Sequence, residues 1–161
     1  MTDRAKITPC LWFDDNAEEA VDFYLSVFKN GRINDVAHYG EVGPGKPGSV
    51  MVMDFEIAGH QLRALNGGPH FKFNEAISLS VDCKTQAEVD ELWSKLTADG
   101  GSESQCGWLK DKFGLSWQIV PSAAVALFQG PDRAASKRAM EAMMKMKKLD
   151  IAALQRAYDG K

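Results

Sequence analysis

Cysteine and histidine are scarce in this chain, with three of each among 161 residues. Cys10, Cys83 and Cys106 are odd in number and far apart, which excludes the disulfide framework that staples small secreted domains. They read as reduced thiols on small buried residues, with a Cys10–Cys106 redox pair as the alternative. His38, His60 and His70 offer few imidazoles, and no Ser-His-Asp or Cys-His spacing stands out. No apolar run is long enough to cross a bilayer, and MTDRAKITPCLWF lacks the charged-then-apolar pattern of a secretion signal. A cytoplasmic location with no membrane partner is therefore expected. The net charge of −3 supplies no positive excess to draw nucleic acid.

What is present nearly repeats itself. Residues 7–13, ITPCLWF, read as a strand, and Asp14, Asp15 and Asn16 then offer a turn and an N-cap for a helix. Its stripe is Ala20, Phe23, Tyr24 and Val27, and Lys29-Asn30-Gly31 supplies a left-handed stop. Strand material follows in RINDVAHYG, SVMVMDFEI and HQLRALN, the last two joined by a tight turn at Ala58-Gly59. The same order returns later. AISLSVDC reads as a strand, then Val89, Leu92, Trp93 and Leu96 stripe a helix that Gly100 and Gly101 end. SESQC, CGWLK and LSWQIVP complete the second copy, the last two joined across Asp111–Gly114.

The sequence thus predicts an α+β chain of two βαβββ modules, with curved antiparallel sheets around a cleft and helices outside. Residues 1–161 are read as a single domain. Module 1 spans about 5–66, a linker 67–75, module 2 about 76–121, and a helical tail 122–161. GEVGPGKPGS (40–49) reads as a mobile lid loop rather than a phosphate cradle. Asp54 and Glu56, two apart on one strand, are expected on a solvated outer face. In the tail, Ala135, Ala139, Met143 and Met146 form a stripe that packs on a sheet or a partner subunit, and Asp150 caps IAALQRAY. The tail's basic residues have no interleaved aromatics and read as a solvated face.

On the last strand, alternation puts Trp117 and Ile119 on one face and Ser116, Gln118 and Val120 on the other. A glutamine between apolar neighbours suits a ligand cleft, and suits equally a satisfied polar residue at a sheet edge.

Three segments carry a resemblance: LNGGPHFKFNEAISLSV (65–81), QCGWLKDKFGLSWQIVP (105–121) and MKMKKLDIAALQRAYDG (144–160). With them the chain resembles the PhnB-like family of the vicinal oxygen chelate superfamily. That superfamily includes glyoxalase I, extradiol dioxygenases and bleomycin-resistance proteins. PhnB-like proteins are often labelled 3-demethylubiquinone-9 3-methyltransferase. Metal-dependent members hold a divalent ion with His, Gln or Glu on the first and last strand of each module. The resemblance places Pro9 and roughly Ala76 at the first-strand positions, and Arg63 and Gln118 at the last-strand ones. Proline and alanine offer no ligand atom, arginine repels a cation, and one glutamine does not hold a metal. His38 and Glu41 are an alternative ligand pair with Gln118, and no cofactor is expected. The methyltransferase label lacks the glycine-rich loop before a helix that S-adenosylmethionine enzymes use.

The resemblance therefore implies a homodimer with a metal-free cleft for a small molecule. Gln118, Arg63, Leu11, Trp12, Ser78, Trp108 and Trp117 are its candidate lining residues. In an enzyme, Gln118 would orient the substrate and Arg63 would face an anion. A metal-dependent glyoxalase- or dioxygenase-like enzyme and a ligand-sequestering, resistance-type protein are the alternatives.

Overall fold

A computed structural model describes residues 5–161, and the chain divides into two compact units, Met1–Phe73 and Asn74–Lys161. The first unit runs β1 (Cys10–Phe13), α1 (Ala17–Val27), β2 (Arg32–His38), β3 (Val50–Ile57) and β4 (His60–Asn66). Its sheet has the order β1-β4-β3-β2. The β2–β3 and β3–β4 pairs are antiparallel as expected, but β1 lies parallel to β4. The sheet is therefore mixed, not antiparallel. A helix separates β1 from the three-strand meander, so the chain can return alongside β1 in the same direction.

Alternation divides the sheet's two faces. Leu11, Phe13, Met53, Phe55, Ile57, Leu62 and Ala64 are buried against the apolar side of α1, where Tyr24 stacks on Phe55 at 6.4 Å. Ala20, Tyr24 and Val27 of the expected stripe are buried and Phe23 half-buried. The cap is not local. Asn16 makes no side-chain cap bond, and the Ala17 N–H donates instead to Asn66 Oδ1 at 2.8 Å. Asn66 Nδ2 donates to Glu18 Oε2 at 2.8 Å and to the Val50 carbonyl at 3.1 Å. One buried amide at the end of β4 thus fixes both the helix start and the neighbouring strand. Asn30, at φ 66°, takes the left-handed stop that Gly31 was expected to share. Ala58 and Gly59, both at positive φ, make the predicted hairpin turn.

The second unit repeats the order with β5 (Ser78–Cys83), α2 (Gln86–Thr97), β6 (Ser102–Glu103), β7 (Trp108–Lys110) and β8 (Ser116–Pro121). Its sheet runs β5-β8-β7-β6, with β5 and β8 again parallel. The helix cap here is local: Thr85 accepts from the Glu88 N–H. Val89, Leu92, Trp93 and Leu96 are all buried, as their spacing predicts. Asp111 organises the β7–β8 turn. Its buried carboxylate accepts from Phe113 N at 2.9 Å, Leu115 N at 3.1 Å and Trp117 Nε1 at 2.9 Å.

The tail forms α3 (Ser122–Phe128), α4 (Arg133–Met143) and α5 (Ile151–Asp159). Asp132 and Asp150 cap α4 and α5. Ala135 and Ala139 of the stripe are buried, while Met143 and Met146 pack against a small core of Ala124, Leu149 and Leu154. The segment between α4 and α5 pairs with the sheet's hairpin. Cys106 N and Gly107 N each donate at 2.8 Å, to the Met146 and Lys147 carbonyls respectively. Gln86 completes the join, donating to the Leu149 carbonyl and accepting from Ile151 N. Among the described residues, no helix is long and apolar enough to cross a membrane.

Candidate functional site

Each sheet has one face turned away from its own helix, and the candidate residues divide between the two faces of each sheet. In the first unit the face away from α1 carries Cys10 and Trp12 of β1, Arg63 of β4, and Asp54 and Glu56 of β3. Leu11 is not on it. It pairs with Ala64 on the helix side at 5% exposure, because a shift of one residue along a strand reverses the face. Asp54 and Glu56 are not on an outer solvated face either. Their side chains are only 18% exposed, and each has a cationic partner.

Arg63 grips Asp54 with two bonds, Nε to Oδ1 at 2.6 Å and Nη2 to Oδ2 at 2.9 Å. The expected anion partner of Arg63 is therefore a side chain of the neighbouring strand. That bond holds the guanidinium above its ordinary range. Pro9 stands before the strand, and Cys10 is the residue in register with Arg63. Cys10 is exposed as a residue, contrary to the buried reading. Loss of water around its sulfur still pushes the thiol up, against a smaller pull from Arg63. A pocket of about 510 Å³ opens beside Arg63 and Asp54, bounded also by Thr8, Asn34, Asp35 and Gln61.

Trp12 is covered by the segment after β4. Its Nε1 donates to the Gly68 carbonyl at 2.9 Å, and its ring meets Phe71 edge-on at 4.9 Å. Gly67 has to be glycine here, since a Cβ would sit 2.4 Å from the indole. The loop at 40–49 is likewise fitted around a buried side chain. Tyr39 bonds to Ser49 and Gly48 through its backbone and donates its hydroxyl to the Asn66 carbonyl.

In the second unit the helix-side face holds Leu109, Trp117 and Ile119, all fully buried. Trp117 is thus a core residue fixed by Asp111, not a lining residue. The opposite face carries two register rows. Ser78, Ser116 and Lys110 form one, and Ser80, Gln118 and Trp108 the other. Gln118 Nε2 donates to Ser78 Oγ at 2.9 Å, which joins the rows. Ser78, rather than Ala76, is therefore the first-strand residue that meets Gln118. Lys110 forms an ion pair with Glu75, just before β5, and holds the Glu75 carboxyl below its ordinary range. Ser116 is 1% exposed, and its hydroxyl has no partner among the described residues. Nothing but its alternation with Trp117 marks Ser116 in the sequence.

The donor set does not suit a metal ion. Among the described residues no group of three or more His, Cys, Asp and Glu is placed to hold one. The groups at the first- and last-strand positions are a raised thiol, a paired guanidinium, a hydroxyl and an amide. His38 ends β2 at an exposed position, and Glu41 lies beyond it in an exposed loop. A methyl donor of the S-adenosylmethionine type fits no better. β1 reaches α1 through Asp14, Asp15 and Asn16, and β5 reaches α2 through Lys84 and Thr85, with no glycine in either turn.

The family profile described as 3-demethylubiquinone-9 3-methyltransferase matches residues 5–120. A PhnB protein from Bacillus cereus is 35% identical and superposes with a TM-score of 0.66, over 73% of this chain and 100% of that one. A protein from Pseudomonas aeruginosa is 21% identical with a TM-score of 0.60, over 73% of this chain and 98% of its own. No curated protein matches.

Proposed function

The chain belongs to the 3-demethylubiquinone-9 3-methyltransferase family, as a PhnB-like protein of the vicinal oxygen chelate fold, and on that premise we propose that it holds a small organic molecule without a metal or other cofactor. The site is the face of the second sheet that bears Gln118. In this reading the two units and the tail make a single domain, and the protein works as a homodimer in the cytoplasm. Binding is the reading carried forward, ahead of turnover. One observation supports it most: the half-buried Gln118 amide spends one donor on Ser78 Oγ and keeps its carbonyl without a partner among the described residues, in register with Trp108. An amide presents donor and acceptor together and orients a carbonyl or hydroxyl without a change of charge. In the first unit, Arg63 and Asp54 already satisfy each other, which argues against a free anion hook there.

Tryptophan fluorescence over a panel of small metabolites tests this. Trp108 is the reporter, because Trp117 is locked in the core. Gln118→Leu is expected to weaken binding about tenfold while leaving thermal stability nearly unchanged. A variant that unfolds, or binds as well as wild type, overturns the reading. Elemental analysis of tag-free protein is expected to show far less than one metal per chain, and light scattering to show a dimer.

A further inference from the structure

A buried hydroxyl without a partner is costly to keep, and Ser116 keeps one in the middle of a sheet. Its row neighbours are Ser78 on β5 and Lys110 on β7, with β8 between them. Glu75 lies just before β5 and Lys110 on β7, so their ion pair bridges the sheet at the first residue of β8, which is Ser116. A carboxylate is thus already seated on Lys110, the register neighbour of Ser116, without reaching its hydroxyl. Ser78 Oγ accepts from Gln118, which leaves its hydroxyl hydrogen to donate. Two hydroxyls and one ammonium therefore share one register row, and Trp108 offers a flat apolar surface in the next.

We propose that Ser116, Ser78 and Lys110 form an acceptor site for the carboxylate of a small planar organic acid, which takes the place of Glu75 while its body lies on Trp108. The proposal rests on the reading that this face holds a small molecule, and names the chemistry of that molecule. The exchange is feasible because the Lys110 and Glu75 side chains are 39% and 62% exposed. Ion pairs that open to water are worth little, whereas a charge-assisted bond to a buried hydroxyl is stronger. Gln118 then reads a hydroxyl of the ligand, accepting its hydrogen through the amide carbonyl.

Calorimetric titration with benzoate and its uncharged counterpart benzamide tests the site. Benzoate is expected to bind at least about tenfold more tightly than benzamide. Ser116→Ala is expected to weaken benzoate about tenfold without lowering the melting temperature, because it removes a group that the empty protein leaves unpaired. Glu75→Gln removes the competing carboxylate and is expected to strengthen benzoate, while Lys110→Met is expected to weaken it. Equal binding of the two probes, unchanged affinity in Ser116→Ala, or a lower melting temperature for that variant overturns the proposal. If neither probe binds while a panel compound still binds through Gln118, the carboxylate assignment falls and the small-molecule reading stands. If no panel compound binds wild-type protein, both fall.

Discussion

The two modules share one topology and differ in how they satisfy their polar groups. The first caps its helix at long range: Asn66 accepts from the first amide of α1, 49 residues away. The second caps its helix locally, with Thr85 accepting from an amide three residues ahead on α2, and Asp111 closes its own turn, although Gln118 and Gln86 reach 40 and 63 residues along the chain to Ser78 and Leu149. Among the described residues the second also keeps one buried hydroxyl unspent, while Asp54 and Glu56 on the first module's corresponding face are paired with Arg63 and Arg32. The same backbone plan thus gives one sheet face closed by its own ion pairs and another with hydrogen-bonding capacity to spare. Function, on this comparison, follows from what a module leaves unpaired.

The comparison breaks most visibly at the buried polar hubs. Asp111→Ala leaves three donors without an acceptor, including the indole of a fully buried tryptophan, and is expected to cost about 4 kcal/mol by urea unfolding. Asn66→Ala strands the first amide of α1 and is expected to cost about 2 kcal/mol, seen as a melting temperature lower by about 4–8 °C. Thr85→Ala, the local counterpart, is expected to cost about 1 kcal/mol. If Thr85→Ala costs as much as Asn66→Ala, the contrast between long-range and local capping is wrong.

Acid gives the smallest and most selective effect. Glu75, Asp82, Asp90 and Glu103, all in the second unit, are held below their ordinary values by hydrogen bonds, from Lys110, Lys84, Lys148 and Trp93 respectively. A carboxyl lowered in the folded protein stabilises it above the ordinary value and loses that contribution as the pH falls through the folded one. Loosening is therefore expected below the ordinary values of 4.5 for Glu and 3.8 for Asp. Lys148–Asp90 and Lys147–Glu103 tie the tail to the module, so the Cys106 and Gly107 amides should exchange with deuterium faster there. The Asn66-bonded amide of Ala17 should not change. Equal acceleration in both units would contradict the assignment.

Much of this arrangement is legible in the sequence, because it depends on residues close together. The helix stripes, the Ala58-Gly59 turn and the two faces of β8 all follow from periods of 3.6 and 2. What is illegible depends on distant partners. The parallel pairing of β1 with β4 needs contacts more than fifty residues apart, and so does the register that puts Cys10, not Pro9, opposite Arg63. Leu11 and Trp117 read as lining residues from the sequence, but each alternates onto the side its helix covers. Asp54 likewise reads as a solvated charge until Arg63 is beside it. The substitution of Asn66 for Asn16 as the helix cap has no local signature at all.

The backbone bonds from Cys106 and Gly107 to residues 146 and 147 also set an order of events during synthesis. The first unit has all its strands once residue 66 has left the ribosome, whereas the hairpin of the second waits for a segment some forty residues further on. Domains emerging first generally fold first. A nascent chain arrested after its first 130 residues have emerged is therefore expected to protect the first unit from protease while the β6–β7 turn is still cut. Release past residue 151, where Gln86 can take both its partners, is expected to close that window. Equal protection of both units in the arrested chain would show that the tail is not needed to complete the second.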